Sequence, residues 1–270
     1  MRQQPSHAST SKGVLWSRIL RRRRLLPMDV VRQWIEIPVE DGTTMAAYCA
    51  RPAGDFSPVG VIVAHELFGV NPGIRSVVDE IAAAGHLVVA PEFYHRDAET
   101  GRYLSRDDAG RDEGFALLHR MSRVGAIADV RAAAAVLLER YEVRETAMVG
   151  FSAGGHLAYL AAATLPISRT AVLYGGWLPT TDIPLSRPEP TLELTPGIRG
   201  ELLFLVGERD FLIDSGQRDK ISAALRAAGA RHEIVAYPEV QHAFFWPDTP
   251  AFDQDARDDA MKRILVLLSR

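Results

Sequence analysis

Cysteine is almost absent from this chain of 270 residues: Cys49 is the only one. No internal disulfide can form, and no Cys/His spacing of the structural-zinc kind is present, so neither bridge nor metal staple is expected. Long apolar runs are missing as well. None approaches the ~20 residues that cross a bilayer, so no membrane partner is expected. Beyond Met28 the sequence shows no internal repeat and no long low-complexity linker. With 47% hydrophobic residues, wholesale disorder is excluded. These absences leave a soluble, cytoplasmic globular protein, without yet saying what it does.

Acidic residues are lacking in one place only. Residues 1–27 hold seven basic side chains, Arg2, Lys12, Arg18, Arg21, Arg22, Arg23 and Arg24, and no acidic one. This Arg/Ser-rich head resembles an organelle transit peptide in composition. Leu25-Leu26-Pro27 is too short for the apolar core of a secretory signal. It reads as a disordered basic extension or an over-called start, with a single domain over 28–270. That domain carries 24 basic against 34 acidic residues, a formal charge of −10. It would repel a phosphate backbone, so nucleic acid is not an expected partner.

What is present is an alternation of short β-branched runs with Ala-rich amphipathic segments, the pattern of a parallel sheet crossed over by helices. Eight strands are predicted, at Gln33–Val39, Thr43–Arg51, Val59–Ala64, Leu87–Ala90, Thr146–Val149, Thr170–Tyr174, Leu202–Val206 and Glu233–Tyr237. The first two flank Glu40-Asp41-Gly42 and read as an antiparallel hairpin. The others are mostly parallel, with helices on both faces. Helices are predicted from Pro72 to Gly85, over Ile127–Tyr141, from Ala153, over Ser215–Ala228 and over Phe252–Leu268. A polar excursion over Asp97–Asp112 runs into a further helix, and 179–197 reads as a Pro-rich loop.

Gly150-Phe151-Ser152-Ala153-Gly154 fits G-x-S-x-G between a buried strand and an Ala-rich helix. Its glycines permit a sharp turn that would expose Ser152 at the sheet edge, over a helix N-terminus that favours developing negative charge. The alternative reading of Ser152 is a helix N-cap. A serine nucleophile needs a positioned base and an orienting acid. Asp210 follows the strand 202–206 and His242 follows 233–237, both at the edge that carries Ser152 and in the order Ser…Asp…His. Among the other histidines, His7 lies in the head, His86 and His232 precede strands, and His156 lies inside a helix. His65 and His95 follow strands but precede the serine. Asp214 rivals Asp210 and reads better as a helix cap. The loop after Val59–Ala64, His65-Glu66-Leu67-Phe68-Gly69-Val70-Asn71, is where one of two oxyanion-hole amides arises in such a fold, the other being Ala153. Taken alone, Glu66 reads as an ordinary strand-end carboxylate.

The set His65–Asn71, Pro91-Glu92-Phe93-Tyr94, Gly150-Phe151-Ser152-Ala153-Gly154-Gly155, Gly207…Asp210 and His242 resembles the dienelactone hydrolase family of α/β-hydrolases. The resemblance runs from about Val31 to the C-terminus. It implies the α/β-hydrolase fold, a cofactor-free and metal-free hydrolysis of a small-molecule ester or lactone, and a monomer or homodimer. It implies Ser152, Asp210 and His242 as the catalytic triad, the backbone amides of Leu67 and Ala153 as oxyanion donors, and Glu66 as an active-site carboxylate. The family's usual nucleophile is cysteine, and its glutamate helps take the thiol proton. A carboxylate near ~4.3 is a feeble base for a thiol near ~8.5 and worse for an alcohol, so His242 is the base expected here. Family members that bind the dienelactone carboxylate use two arginines. One matches Arg111; the other would stand four residues after His242, where this chain has Trp246. A tyrosine near the first arginine is here Phe115. Losing one bidentate partner, typically ~1.5–3 kcal/mol, favours a neutral or bulkier ester. Phe68, Tyr94, Trp177, Phe245 and Trp246 are the candidates for an aromatic pocket wall. Two other readings stand beside this one: a thioesterase or peptidase of the same fold, and a non-catalytic binding protein of that fold.

Overall fold

The computed structural model describes residues 29–270, so the basic head lies outside the described residues. One sheet of eight strands organises the chain: β1 (Val30–Pro38), β2 (Thr44–Pro52), β3 (Val59–Ala64), β4 (Leu87–Pro91), β5 (Glu145–Phe151), β6 (Arg169–Leu173), β7 (Glu201–Gly207) and β8 (Arg231–Tyr237). Their spatial order is β1-β2-β4-β3-β5-β6-β7-β8. The β1–β2 hairpin is antiparallel and joins β4 antiparallel, and every pairing from β4 through β3 to β8 is parallel. The expected α/β-hydrolase architecture is therefore observed. All six residues of β3 and all five of β4 are buried, which is why these strands read as continuous apolar runs rather than alternating ones.

Six helices pack around the sheet: α1 (Pro72–Ala83), α2 (Asp108–Leu118), α3 (Arg123–Ala135), α4 (Ala153–Thr164), α5 (Ser215–Ala227) and α6 (Gln254–Leu268). Most open on a side-chain cap. Asn71, Asp107, Ser122, Asp214 and Asp253 each accept a backbone N–H from the first turn. Asp214 is thus the cap the sequence suggested. The helix expected at Ile127 starts four residues earlier, because Ser122 caps it through the Gly125 N–H. The stretch 179–197 is not all loop; it carries 3₁₀ turns at Pro184–Ser186 and Thr191–Gly197. Helix α4 is buried from Ala153 to Ala163 and apolar on all sides, as a helix enclosed by its own protein must be.

Parallel pairing brings the C-terminal ends of β3, β5, β7 and β8 to one edge. Ala64 lies beside Gly150 and Gly207 beside Tyr237. The loops leaving this edge begin at His65, Ser152, Glu208 and Pro238, so residues as distant in sequence as Glu66 and Thr249 meet there. No helix among the described residues is long and apolar enough to cross a membrane.

Candidate active site

The turn from β5 into α4 is sharper than an ordinary strand-to-helix connection. Ser152 sits at φ 51° and ψ −114°, a region that side chains rarely occupy. The close approach needs its flanking glycines. A Cβ at Gly150 would come within 2.0 Å of the Gly154 carbonyl oxygen, and one at Gly154 within 2.3 Å of the Ala64 carbonyl oxygen. Formally Ser152 is the N-cap of α4, yet its hydroxyl makes no capping hydrogen bond. That argues against the cap reading. Positive φ recurs around the same spot: of the six non-glycine residues with it among the described residues, Ser152, Tyr174, Trp177 and Ala243 gather here.

The Ser152 Oγ lies 2.9 Å from His242 Nε2, and His242 Nδ1 lies 2.8 Å from Asp210 Oδ2. A carboxylate only accepts, so Nδ1 carries the ring hydrogen and Nε2 is free to accept from the serine hydroxyl. All three residues are buried, at 5%, 9% and 4% exposure, so water does not compete for these bonds. Asp210 is anchored in turn: its Oδ1 accepts the Leu212 N–H at 2.8 Å and the Ile213 N–H at 3.2 Å. The Tyr174 ring abuts the imidazole edge-on at 4.9 Å and fixes its plane. Ala153 opens α4, so its N–H has no carbonyl one helical turn back and points out of the helix end. Leu67 lines the same pocket from the β3 loop.

Glu66 is fully buried beside this line. Burial pushes its carboxyl up to about 7, against the pull of Arg106 and His242. Arg106 forms an ion pair with Glu66, and its Nε lies 3.1 Å from Asp248 Oδ2. Its guanidinium lies 5.1 Å from the centre of the Phe68 ring and 4.9 Å from that of Trp246. Arg106 was not foreseen. It stands in the aperiodic polar excursion before α2, where nothing local distinguishes it from a solvated arginine. Its presence also revises the argument from Trp246: no guanidinium arises four residues after His242, but another chain segment brings one to this pocket, where it pairs with Glu66.

A pocket of about 500 Å³ opens over Ser152, within the ~300–1,000 Å³ that encloses small organic ligands. Phe68, Phe115, Trp177, Phe211 and Leu212 supply apolar lining, and Glu66, Arg106, Arg111, His242 and Thr249 the polar part. Phe68, Trp177 and Arg111, three of the expected substrate contacts, line this pocket. Arg111 is half-exposed and pairs with Asp108 and Asp112. Tyr94 and Trp246 are not pocket wall. Tyr94 packs on the His65 ring at 4.9 Å in a separate small cluster with Leu104 and Leu117. Trp246 is 2% exposed, packed at a tilt on Phe151 and edge-on against Phe245, with the Arg106 guanidinium over its ring. Phe245 is likewise core. Sequence spacing put these rings near the site, but the sheet edge turns them into the interior. Phe211 and Leu212 were missed, although their adjacency to Asp210 was visible. Cys49 is buried in β2 and remote from this pocket's lining. Among the described residues, no group of three or more His, Cys, Asp or Glu side chains could hold a metal ion.

Comparison with known proteins gives consistent matches over the length of the domain. The profile of the dienelactone hydrolase family matches residues 45–270. A candidate carboxymethylenebutenolidase of Escherichia coli is 31% identical over 237 residues, covering 87% of this chain and 86% of its own length. The carboxymethylenebutenolidase of Pseudomonas putida is 26% identical over 241 residues, 89% of this chain and 97% of that protein. Among solved structures, a candidate dienelactone hydrolase from Klebsiella pneumoniae superposes with a TM-score of 0.79 at 27% identity, covering 90% of this chain and 99% of that one.

Proposed function

This chain belongs to the dienelactone hydrolase family and is a hydrolase of the carboxylic ester or lactone type, and from that premise we propose that it works as a serine hydrolase through an acyl-enzyme. The observation that carries the reading is the unbroken hydrogen-bonded line from Ser152 through His242 to Asp210. In the first half-reaction His242 Nε2 takes the Ser152 proton while Oγ forms a bond to the carbonyl carbon. The carbonyl oxygen becomes an oxyanion, held by the backbone N–H groups of Leu67 and Ala153 at the N-terminus of α4. The imidazolium then gives its proton to the alcohol oxygen, the C–O bond breaks, and the alcohol departs. In the second half, water loses a proton to His242 as it attacks the acyl carbon; the bond from that carbon to Oγ then breaks, the imidazolium returns the proton to Oγ, and the acid departs. Asp210 keeps the imidazole in the productive tautomer and supports its transient positive charge. Glu66 does not serve as base in this scheme, because the serine hydroxyl points to His242 and the carboxylate is engaged by Arg106. Its charge lies close enough to favour the imidazolium.

Ser152→Ala tests the assignment. Turnover of p-nitrophenyl acetate should vanish while the melting temperature stays at the wild-type value, since the hydroxyl caps nothing. A fluorophosphonate should label Ser152 in the wild type. Wild-type turnover in Ser152→Ala would reject the nucleophile.

A further inference from the structure

Phe211 is 79% exposed, although removing a phenylalanine ring from water is favourable. The turn that anchors Asp210 accounts for this placement. Asp210 Oδ1 accepts the N–H groups of Leu212 and Ile213, so the backbone wraps round the carboxylate and turns residue 211 away from the core. The outward ring meets the edge of the His242 imidazole at 5.1 Å, and Phe211 and Leu212 form part of the pocket lining with Phe68, Phe115 and Trp177. An exposed ring fixed against a buried imidazole at the mouth of a cavity is placed to be covered by a ligand.

The order of proton transfers decides which half of an ester would cover it. When the tetrahedral intermediate collapses, His242 Nε2 delivers its proton to the alcohol oxygen. That oxygen, and the carbon it carries, must therefore lie beside the imidazole. The oxyanion lies instead toward Leu67 and Ala153. A ring resting on the imidazole meets the departing alcohol. We propose that Phe211 is the specificity platform for the alcohol portion of the substrate, selecting esters of aromatic or branched apolar alcohols. The proposal rests on the ester-hydrolase reading above and adds its substrate class. The charges nearby agree with an uncharged alcohol. Arg106 is taken up by Glu66 and Asp248, and Arg111 by Asp108 and Asp112, so an anionic group would have to displace a carboxylate already in place.

Benzyl acetate and ethyl acetate share an acyl group and differ little in alcohol acidity, which makes their ratio a direct readout. The wild type should prefer benzyl acetate in kcat/KM. Phe211→Ala should lower that benzyl-to-ethyl ratio about tenfold, mainly through KM, and Phe211→Tyr should keep it, since discrimination by one apolar contact surface is worth roughly 10–200-fold. An unchanged ratio overturns the proposal. So does an equal loss on both esters through kcat, which would make the ring only a support for His242. A loss that follows acyl chain length, measured with p-nitrophenyl acetate, butyrate and hexanoate, also overturns it. Failure of the underlying reading looks different: no fluorophosphonate adduct on Ser152 and neither ester cleaved. In that event the binding of benzyl acetate to Ser152→Ala protein, with and without Phe211→Ala, still decides. Severalfold weaker binding without the ring supports the platform, and equal binding overturns it.

Discussion

In the proposed reaction three side chains set the chemistry at the scale of single residues, and their order of dependence follows from their contacts. In that scheme Ser152 would hand its proton to His242, and Asp210 would hold the His242 tautomer, along the hydrogen-bonded line the three form. Asp210→Asn would keep the packing but present an amide that can donate to Nδ1, turning the Nε2 hydrogen toward the serine. We expect kcat for p-nitrophenyl acetate to fall ~10³-fold or more, with the fold intact by circular dichroism. Glu66→Gln should act more mildly. It removes the ionisable group that faces His242, and leaves Asp248 as the carboxylate paired with Arg106. A loss of about tenfold in kcat is expected, and an unchanged kcat would make Glu66 a purely structural partner of Arg106. The residue scale was also the most legible one. The motif around Ser152, and the positions of Asp210 and His242 after successive strands, could be read from local pattern and order. Arg106 could not, because its partners Glu66 and Asp248 lie 40 and 142 positions away and nothing near it in sequence refers to either.

Elements matter through the distances they impose. Helix α2 comes so close to the β3 loop that a Cβ at Gly114 would lie 2.7 Å from the Leu67 carbonyl oxygen. The obstacle is backbone, which cannot rotate away. Alanine favours a helix interior over glycine by ~1 kcal/mol, so the local effect of Gly114→Ala is stabilising. The tertiary effect opposes it, pushing α2 and the Leu67 loop apart. We expect the second to win at the site: kcat for p-nitrophenyl acetate drops at least tenfold while far-UV circular dichroism keeps its helical signal. A variant with wild-type kcat would show that the Leu67 amide tolerates displacement. Element boundaries tell the same story about local and distant causes. The five side-chain caps depend on residues three positions apart, and Asp214 was identified from them. The early start of α3 at Arg123 was overlooked because its first turn, Arg123-Val124-Gly125-Ala126, leaves Val124 exposed and so lacks the apolar periodicity used to find it.

For the molecule as a whole, pH couples the site to the stability of the fold. His65 and His156 are fully buried, and desolvation pushes each down to about 4. Each donates Nδ1–H to a carbonyl, of Glu66 and of Gly176 respectively, which fits neutral rings. The unfolded chain binds protons on both below about 6.5 while the folded chain does not, so stability is lost as pH falls from 6.5 toward 4, roughly 3 kcal/mol per ring once below it. Glu66 works in the opposite direction: its raised value makes the folded form the better proton binder between about 4.5 and 7, so it adds stability as pH falls through that window. Two imidazoles outweigh one carboxyl. The melting temperature should therefore be lower at pH 5 than at pH 7, and a flat profile would contradict the burial of these rings. By itself the sequence determined the alternation of strands and helices, the antiparallel hairpin, the sharp turn at Ser152 and the order of Ser152, Asp210 and His242 along the sheet edge, because each is written in periodicity, glycine placement or position after a strand. Tertiary structure alone decided which aromatic rings face the pocket, that Arg106 reaches Glu66, and that Phe211 stands outside the core. Those outcomes depend on which way a side chain points from a sheet edge, and that direction is set by packing among segments the chain brings together only on folding.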